Sequence, residues 1–280
     1  MVRRHVLKLL ALAAATACVA PARAIRALDA LGRVRVPPTV MLHARQAHLD
    51  NLPRLLDWLF ERGYTPITYQ TLWECLAEDC ALPTQPVILT IDDLTLVRGS
   101  RNFPFIARMV DVLLEYEAPG VLGIITQPVT AGAGGRLIQL REQDEAHWAL
   151  AVEWQASGIE LATHSDSHCN LAERRLSPDD LRREIGASAA LIEARTGAPV
   201  RTLVLPFGNG ASDSYAGRLQ APIVDACREA GIGIVAGIGG GRVPLVPAPA
   251  SEQPVYFVGR VGPMADDFDS IFWEIAYWDR

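Results

Sequence analysis

Short apolar runs alternate along this chain with segments of helical period, and most of the runs give way to a cluster of polar residues. That rhythm constrains the fold more than any other feature. Apolar runs at 39–43, 86–91, 120–125, 158–163, 202–205, 232–238 and 256–261 read as strands. A short extended piece sits at 65–68. Between them, apolar residues recur with helical spacing at 49–62, where Leu52, Leu55, Leu56, Leu59 and Phe60 share a face, and Gly63 stops the pattern. Further helices are expected at 71–77 with Thr71 as cap, at 103–116 entered past Pro104, at 144–157, from Ser177-Pro178-Asp179-Asp180 onward, at 222–229 and at 268–278. Repeated strand–helix units imply an α/β fold: a distorted (β/α) barrel of parallel strands with helices outside. In such barrels the residues at the carboxyl ends of the strands meet at one mouth. A chain of 280 residues can bury one substantial core. With no internal repeat and no low-complexity tract, residues 25–280 read as a single domain.

Residues 1–24 read instead as a signal peptide. Arg3, Arg4 and Lys8 make a basic start, 6–17 is an alanine-rich apolar run, and Ala22-Arg23-Ala24 offers a small-x-small cleavage site. The string Arg3-Arg4-His5-Val6-Leu7-Lys8 resembles a twin-arginine signal, an ordinary secretory signal being the alternative. Cys18 offers a weaker case for a lipid anchor, because Ala15 stands where a larger aliphatic residue is usual. The protein is therefore expected to be exported, periplasmic or secreted. Beyond the leader no apolar run is long enough to span a bilayer. Removing the leader takes away four basic residues and no acid, which moves the formal charge from −6 to −10. So acidic a chain argues against a nucleic-acid partner. Cys75 and Cys80 are spaced to pair across a helix end, though spacing alone does not decide it. No CxxC pair suggests a structural zinc knuckle.

Chemistry concentrates in three places. Asp92-Asp93 ends an otherwise apolar strand. Two adjacent carboxylates repel unless a cation sits between them or one is protonated, so one can bind metal while the other accepts a proton. Aspartates capping a strand-end turn are the plainer alternative. His164-Ser165-Asp166-Ser167-His168 places two of the chain's six histidines after another strand. Two imidazoles that far apart can converge on one ion if the segment makes a helical turn. With one carboxylate they leave positions open for water, the arrangement of a catalytic zinc or similar divalent ion; nickel, cobalt and iron are alternatives. Asp166 reads as solvated, and Cys169 as a packed thiol. Pro206-Phe207-Gly208 is a turn after a third strand, and such a turn can present a backbone N–H to a developing oxyanion.

Taken together, these pieces resemble the polysaccharide deacetylases of carbohydrate esterase family four. The resemblance spans roughly 39–262. Thr90-Ile91-Asp92-Asp93-Leu94 matches the family's Thr-Phe-Asp-Asp-Gly. His164-Ser165, His168 and Leu171 match its histidine motif, and Pro206-Phe207-Gly208 its Pro-Tyr-Gly. Flanking text agrees, including Arg62-Gly63-Tyr64-Thr65-Pro66 and Glu184-Ile185. The resemblance implies a barrel of the polysaccharide deacetylase type and a metal-dependent hydrolase that removes N-acetyl groups from aminosugars of an acetylated polysaccharide. Asp92 would be the general base, Asp93, His164 and His168 the metal ligands, and the Phe207 N–H an oxyanion donor. Three departures stand out. Leu94 replaces a glycine, which would alter the loop and narrow the site. Val204 stands where many members carry an arginine supporting the base. No histidine follows His168. A permuted branch of poly-N-acetylglucosamine deacetylases carries its acid histidine on the first strand, where His43 stands here; a half-buried polar residue is the alternative reading of His43. Arg260 matches a late arginine whose role is open. The departures leave two other functions in view: a non-catalytic carbohydrate-binding protein on the same barrel, and a deacylase of O-acetyl esters or non-sugar amides.

Overall fold

Eight short segments carry enough β-branched and apolar residues to bury both faces, and they form one parallel sheet. The computed structural model describes residues 25–278, leaving out 79, 128, 132–136, 141, 173–175, 209–210, 214–217, 239–244, 248–250 and 264–266. The leader expected at 1–24 and most of the glycine-rich loop at 130–135 lie outside the described residues. The strands are β1 (Thr39–Leu42), β2 (Thr65–Ile67), β3 (Pro86–Thr95), β4 (Val121–Ile125), β5 (Glu160–Thr163), β6 (Thr202–Val204), β7 (Ile234–Ile238) and β8 (Tyr256–Arg260). Their order is β8-β7-β6-β5-β4-β3-β1, with β2 paired to the start of β3. A parallel bridge between Val40 and Val261 brings the last strand back to the first. Met41 N–H donates to Val261 O at 2.7 Å, and Val261 N–H to Thr39 O at 2.8 Å. The sheet is thus nearly closed into a barrel.

Helices cover its outside: α1 (Gln46–Glu61), α2 (Tyr69–Glu78), α3 (Phe103–Glu115), α4 (Glu145–Ala156), α5 (residues 178–196), α6 (Ala221–Glu229) and α7 (Ser270–Trp278). Helix α1 begins three residues earlier than the periodicity suggests and carries Pro53 within it. Its Leu49, Leu52, Leu55, Leu56 and Leu59 are all buried, each contributing roughly 1.5–3 kcal/mol. Helix α2 is capped by Thr68, whose Oγ1 accepts from Thr71 N–H at 3.1 Å, so Thr71 lies inside the first turn and is not the cap. Asp144 caps α4, and Ser177 with Asp180 forms a capping box at the start of α5. Within α5, Arg182–Ala187 widens into a π-helical stretch.

Alternation along the strands separates two cores. On β3, Val87, Leu89 and Ile91 pack under the helices, while Ile88 joins Val121, Ala162, Val204, Ala236 and Val258 in a separate cluster lining the barrel. Cys75 and Cys80 are joined in a disulfide at the end of α2. Cys169 and Cys227 are buried in the helix-side core, outside any disulfide. Among the described residues no helix is long and apolar enough to cross a membrane.

Candidate active site

Strict alternation on β3 would send Asp92 into the barrel and Asp93 out under the helices. A bulge changes that. Ile91 pairs with Leu122 and Leu94 with Ile124, so three steps along β3 face two along β4. Asp93 takes the extra step with φ of 69°, in the left-handed region. Asn102 Nδ2 donates to Asp93 O at 3.1 Å and holds the turned peptide. The strand does not end at the aspartates; it runs on to Thr95. Leu94 is fully buried in the helix-side core and does not narrow the mouth. The conformation that a glycine would favour is carried one residue earlier, by Asp93.

His164 follows β5 directly and is buried. Its Nδ1 lies 2.8 Å from Val204 O, an acceptor only, so Nδ1 donates there and Nε2 is left to face the site. Val204 therefore serves the site through its carbonyl. Gly123 on β4 makes room: a Cβ there would lie 3.3 Å from His164 Cβ. The 164–168 segment forms no helical turn. A bent loop brings His168 round instead, through left-handed Ser165 (φ 66°) and His168 (φ 57°), with His168 N–H donating to Ser165 Oγ at 2.9 Å. His164 Nε2 and His168 Nε2 then stand 3.4 and 3.3 Å from the same oxygen, Asp93 Oδ1. Burial raises the Asp93 carboxyl, but the two imidazoles outweigh it and hold its pKa well below the usual range.

The donor set suits a cation. One atom from each of Asp93, His164 and His168 lies within 4.8 Å of the others. Metal bonds of 2.0–2.1 Å at tetrahedral angles place neighbouring donors about 3.3 Å apart, the separation of both carboxylate–imidazole pairs. Two imidazoles, borderline donors, with one hard carboxylate suit zinc and its first-row neighbours.

Asp92 points into the barrel and is 2% exposed. Arg260, wholly buried on β8, sends Nη1 to both Asp92 oxygens at 2.7 and 2.9 Å and to Thr90 Oγ1 at 3.0 Å. The arginine absent at Val204 is thus replaced from another strand, because the Val40–Val261 closure sets β8 beside β1. His43 follows β1 at the same mouth, half-buried, its N–H donating to His48 Nδ1 at 2.9 Å. Burial lowers its pKa, while the charges of Asp92 and Asp93 pull it back up. Phe207 is left-handed (φ 59°) and its ring is 58% exposed, centred 4.7 Å from that of His168. Gly208 must be glycine: a Cβ would lie 2.3 Å from Ile238 Cγ1.

Asp166 is not solvated. It is half-buried and accepts from Thr126 Oγ1 at 2.8 Å; burial pushes its carboxyl up, and the Glu184 carboxylate adds to that. Glu184, Asn102, Thr126 and His48 bear on the site without having been recognisable as site residues in the sequence. Only Gly123, a glycine interrupting a strand, carried a signal of close approach.

A barrel of parallel strands, with a carboxylate and two imidazoles converging at its carboxyl mouth beside a buried aspartate, is the architecture of a known group of hydrolases. Residues 81–223, just over half the chain, match the polysaccharide deacetylase family, and the chain belongs to it. Solved structures of similar fold include the Streptococcus pyogenes deacetylase PplD in complex with acetate, at 16% identity and a TM-score of 0.60, covering 87% of this chain and 99% of that one. IcaB from Ammonifex degensii is 19% identical with a TM-score of 0.58, covering 86% and 97%. The BpsB deacetylase domain from Bordetella bronchiseptica is 20% identical with a TM-score of 0.52, covering 81% and 95%. At these identities the likeness is one of fold. No curated protein matches the sequence.

Proposed function

We propose that the chain is a metal-dependent hydrolase that removes N-acetyl groups from aminosugar residues of a polysaccharide outside the cytoplasm. The observation that carries this reading is the approach of His164 Nε2 and His168 Nε2 to one oxygen of Asp93, with a second, separately charge-paired carboxylate on the adjacent residue. Asp93, His164 and His168 would hold the cation, zinc foremost. Bound there, a divalent ion supplies Lewis acidity toward an amide carbonyl and toward water. Asp92 accepts the proton of the attacking water; Arg260 keeps it ionised and aimed. The N–H of Phe207, whose ring lies beside that of His168, would donate to the oxyanion that develops on the carbonyl. His43 returns a proton to the leaving amine. The proton that Asp92 took from water replaces the one His43 gives, so the step consumes no net proton; burial works against the charged imidazole, and both aspartates favour it.

PplD is described in complex with acetate, the product this reaction releases. The Cys75–Cys80 disulfide suits an oxidising compartment and so an exported chain. Acetate release from N-acetylglucosamine oligomers, measured with and without chelator beside O-acetylated and non-sugar amide substrates, tests the assignment. Asp92→Asn should keep bound metal and lose acetate release by about 10²–10⁴-fold. Turnover at the native rate in that variant would end the base assignment, and chelator-resistant turnover would end the metal assignment.

A further inference from the structure

Of the three converging side chains, His164 is fixed by Val204 O and by burial, and Asp93 by the bulge and Asn102. His168 is held by its N–H to Ser165 Oγ, within its own loop, and by the ring of Phe207. It is the most exposed of the three side chains, at 28%, and it ends a loop outside any regular element. Its direction depends on how residues 165–168 are held, and two of those four are left-handed without being glycine. Such backbone persists only where its surroundings over-determine it.

Residues 126 and 127 hold Ser165 and Asp166 from one side, Gln127 N–H donating to Asp166 O at 2.8 Å, and Glu184 holds the loop from the other, being the one that reaches Ser167 beside the ligand. Glu184 Oε2 accepts from Ser167 N–H at 2.9 Å, Glu184 Oε1 accepts from Ser167 Oγ at 2.8 Å, and Glu184 O accepts from Asp166 N–H at 2.8 Å. The side chain is buried against the loop, 4% exposed. The third contact uses the main chain. In an α-helix, Ser188 N–H would donate to Glu184 O; here, at the end of the π-helical stretch, it donates to Ile185 O three residues back, and Glu184 O accepts from the loop. The Ser188 hydroxyl lies 2.6 and 3.1 Å from those of Thr163 and Thr126, tying α5 to the strands beneath the loop.

We infer that Glu184 is a positioning residue for the metal centre, gripping the 165–168 loop through Ser167 and Asp166 so that His168 meets the ion already held by Asp93 and His164. Glu184 reaches the loop from within the π-helical stretch of α5. Its positioning role rests on the reading of Asp93, His164 and His168 as ligands.

The test is a titration of the metal-stripped full chain with Zn²⁺, and with Co²⁺, whose visible absorption reports the number and symmetry of its ligands. Thermal melting of the metal-stripped proteins is measured alongside. Glu184→Ala should weaken Zn²⁺ binding by about 10–100-fold and lower the intensity of the Co²⁺ bands, while melting of the metal-free protein changes far less than the affinity. Glu184→Gln keeps an acceptor for Ser167 N–H and offers an amide to Ser167 Oγ, so it should restore binding to within about threefold. Native affinity in Glu184→Ala would overturn the proposal, as would Glu184→Gln binding as weakly as the alanine variant. Should Glu184→Ala fail to fold, Ser167→Ala carries the test: it removes one arm of the grip and should cost about three- to tenfold in affinity, and unchanged affinity there would refute the inference. A wild-type chain that takes up no ion would instead sink the reading of the ligands.

Discussion

Arg260→Met separates the catalytic arrangement from the fold that contains it. The substitution keeps an unbranched stem in the barrel and removes the charge that Asp92 faces at 2.7 and 2.9 Å, with both side chains almost wholly buried. An unpaired buried carboxylate escapes its desolvation cost by taking a proton. At pH 7, protonating a carboxyl of ordinary pKa near 3.9 costs about 1.36 kcal/mol per unit over three units, so the variant loses at most about 4 kcal/mol. At about 2–4 °C per kcal/mol, this lowers Tm by about 8–16 °C. The sign follows from proton counts. Between pH 4 and 7 the folded variant binds a proton that its unfolded chain does not, so its deficit grows as pH rises and fades toward pH 4. The acid limb of kcat/KM for acetate release should move up, leaving activity that recovers in alkali. Adding Asp92→Asn should restore much of the stability at pH 7 and none of the activity. Melting curves and pH–rate profiles between pH 4 and 9 decide the matter. A deficit independent of pH, together with an unmoved acid limb, would refute the claim that Arg260 keeps Asp92 ionised.

Other perturbations reach different parts of the molecule. In Gly123→Ala the new Cβ crowds His164 Cβ and Cγ at 3.3 and 3.4 Å, which should weaken Zn²⁺ binding about tenfold in a titration while costing about 1–3 kcal/mol of stability. His43→Gln should lower kcat by about 10²–10⁴-fold with metal content unchanged by elemental analysis. Burial, with the charges of His43 and Arg45, holds His48 down at about 4 against 6.5, so the unfolded chain takes up the extra proton between those values. The contribution is fully present above pH 6.5 and is lost as pH falls toward 4, by about 1–3 kcal/mol in urea titrations, a slope that His48→Gln should flatten. Reducing the Cys75–Cys80 disulfide, which closes a short loop, should cost about 2 kcal/mol by the same measurement.

The strands and most helices were legible because burial imposes its period on the sequence: Ile88 faces the barrel while Val87 and Leu89 face the helices, and the Leu52–Leu59 set marks one side of α1. The polar clusters were legible because each follows a strand. Less visible was anything set by a single hydrogen bond or a single φ angle. Little in the string Ile91-Asp92-Asp93-Leu94 announces a bulge, since aspartate signals left-handed backbone far more weakly than glycine. Thr68 and Thr71 are equally good caps on paper, and only the observed bond from Thr71 N–H chooses between them. The partnership of Asp92 with Arg260 joins residues 168 apart, and it depends on how far the sheet closes, which no local pattern encodes. Among the described residues four two-stranded ribbons lie apart from the main sheet, Arg33–Arg35 with Leu245–Pro247 for one, and the sequence did not reveal them because strands of two to four residues carry too few positions to show a period.

Five non-glycine residues adopt positive φ among those described, and four of them, Asp93, Ser165, His168 and Phe207, stand at the mouth. Each costs of order 1–3 kcal/mol. A sheet of parallel strands delivers side chains to its rim alternately inward and outward, so convergence of neighbours such as Asp92 and Asp93 requires a break in that alternation. Glycine is the least costly residue at a break but brings no ligand. Where the break and the ligand fall on one residue, as at Asp93 and His168, the strain is borne by the functional group itself and held by Asn102, Ser165 and Glu184 nearby. This is why the Leu94 departure leaves the site open, and why its geometry should fail first when those supports are removed, even with every ligand in place.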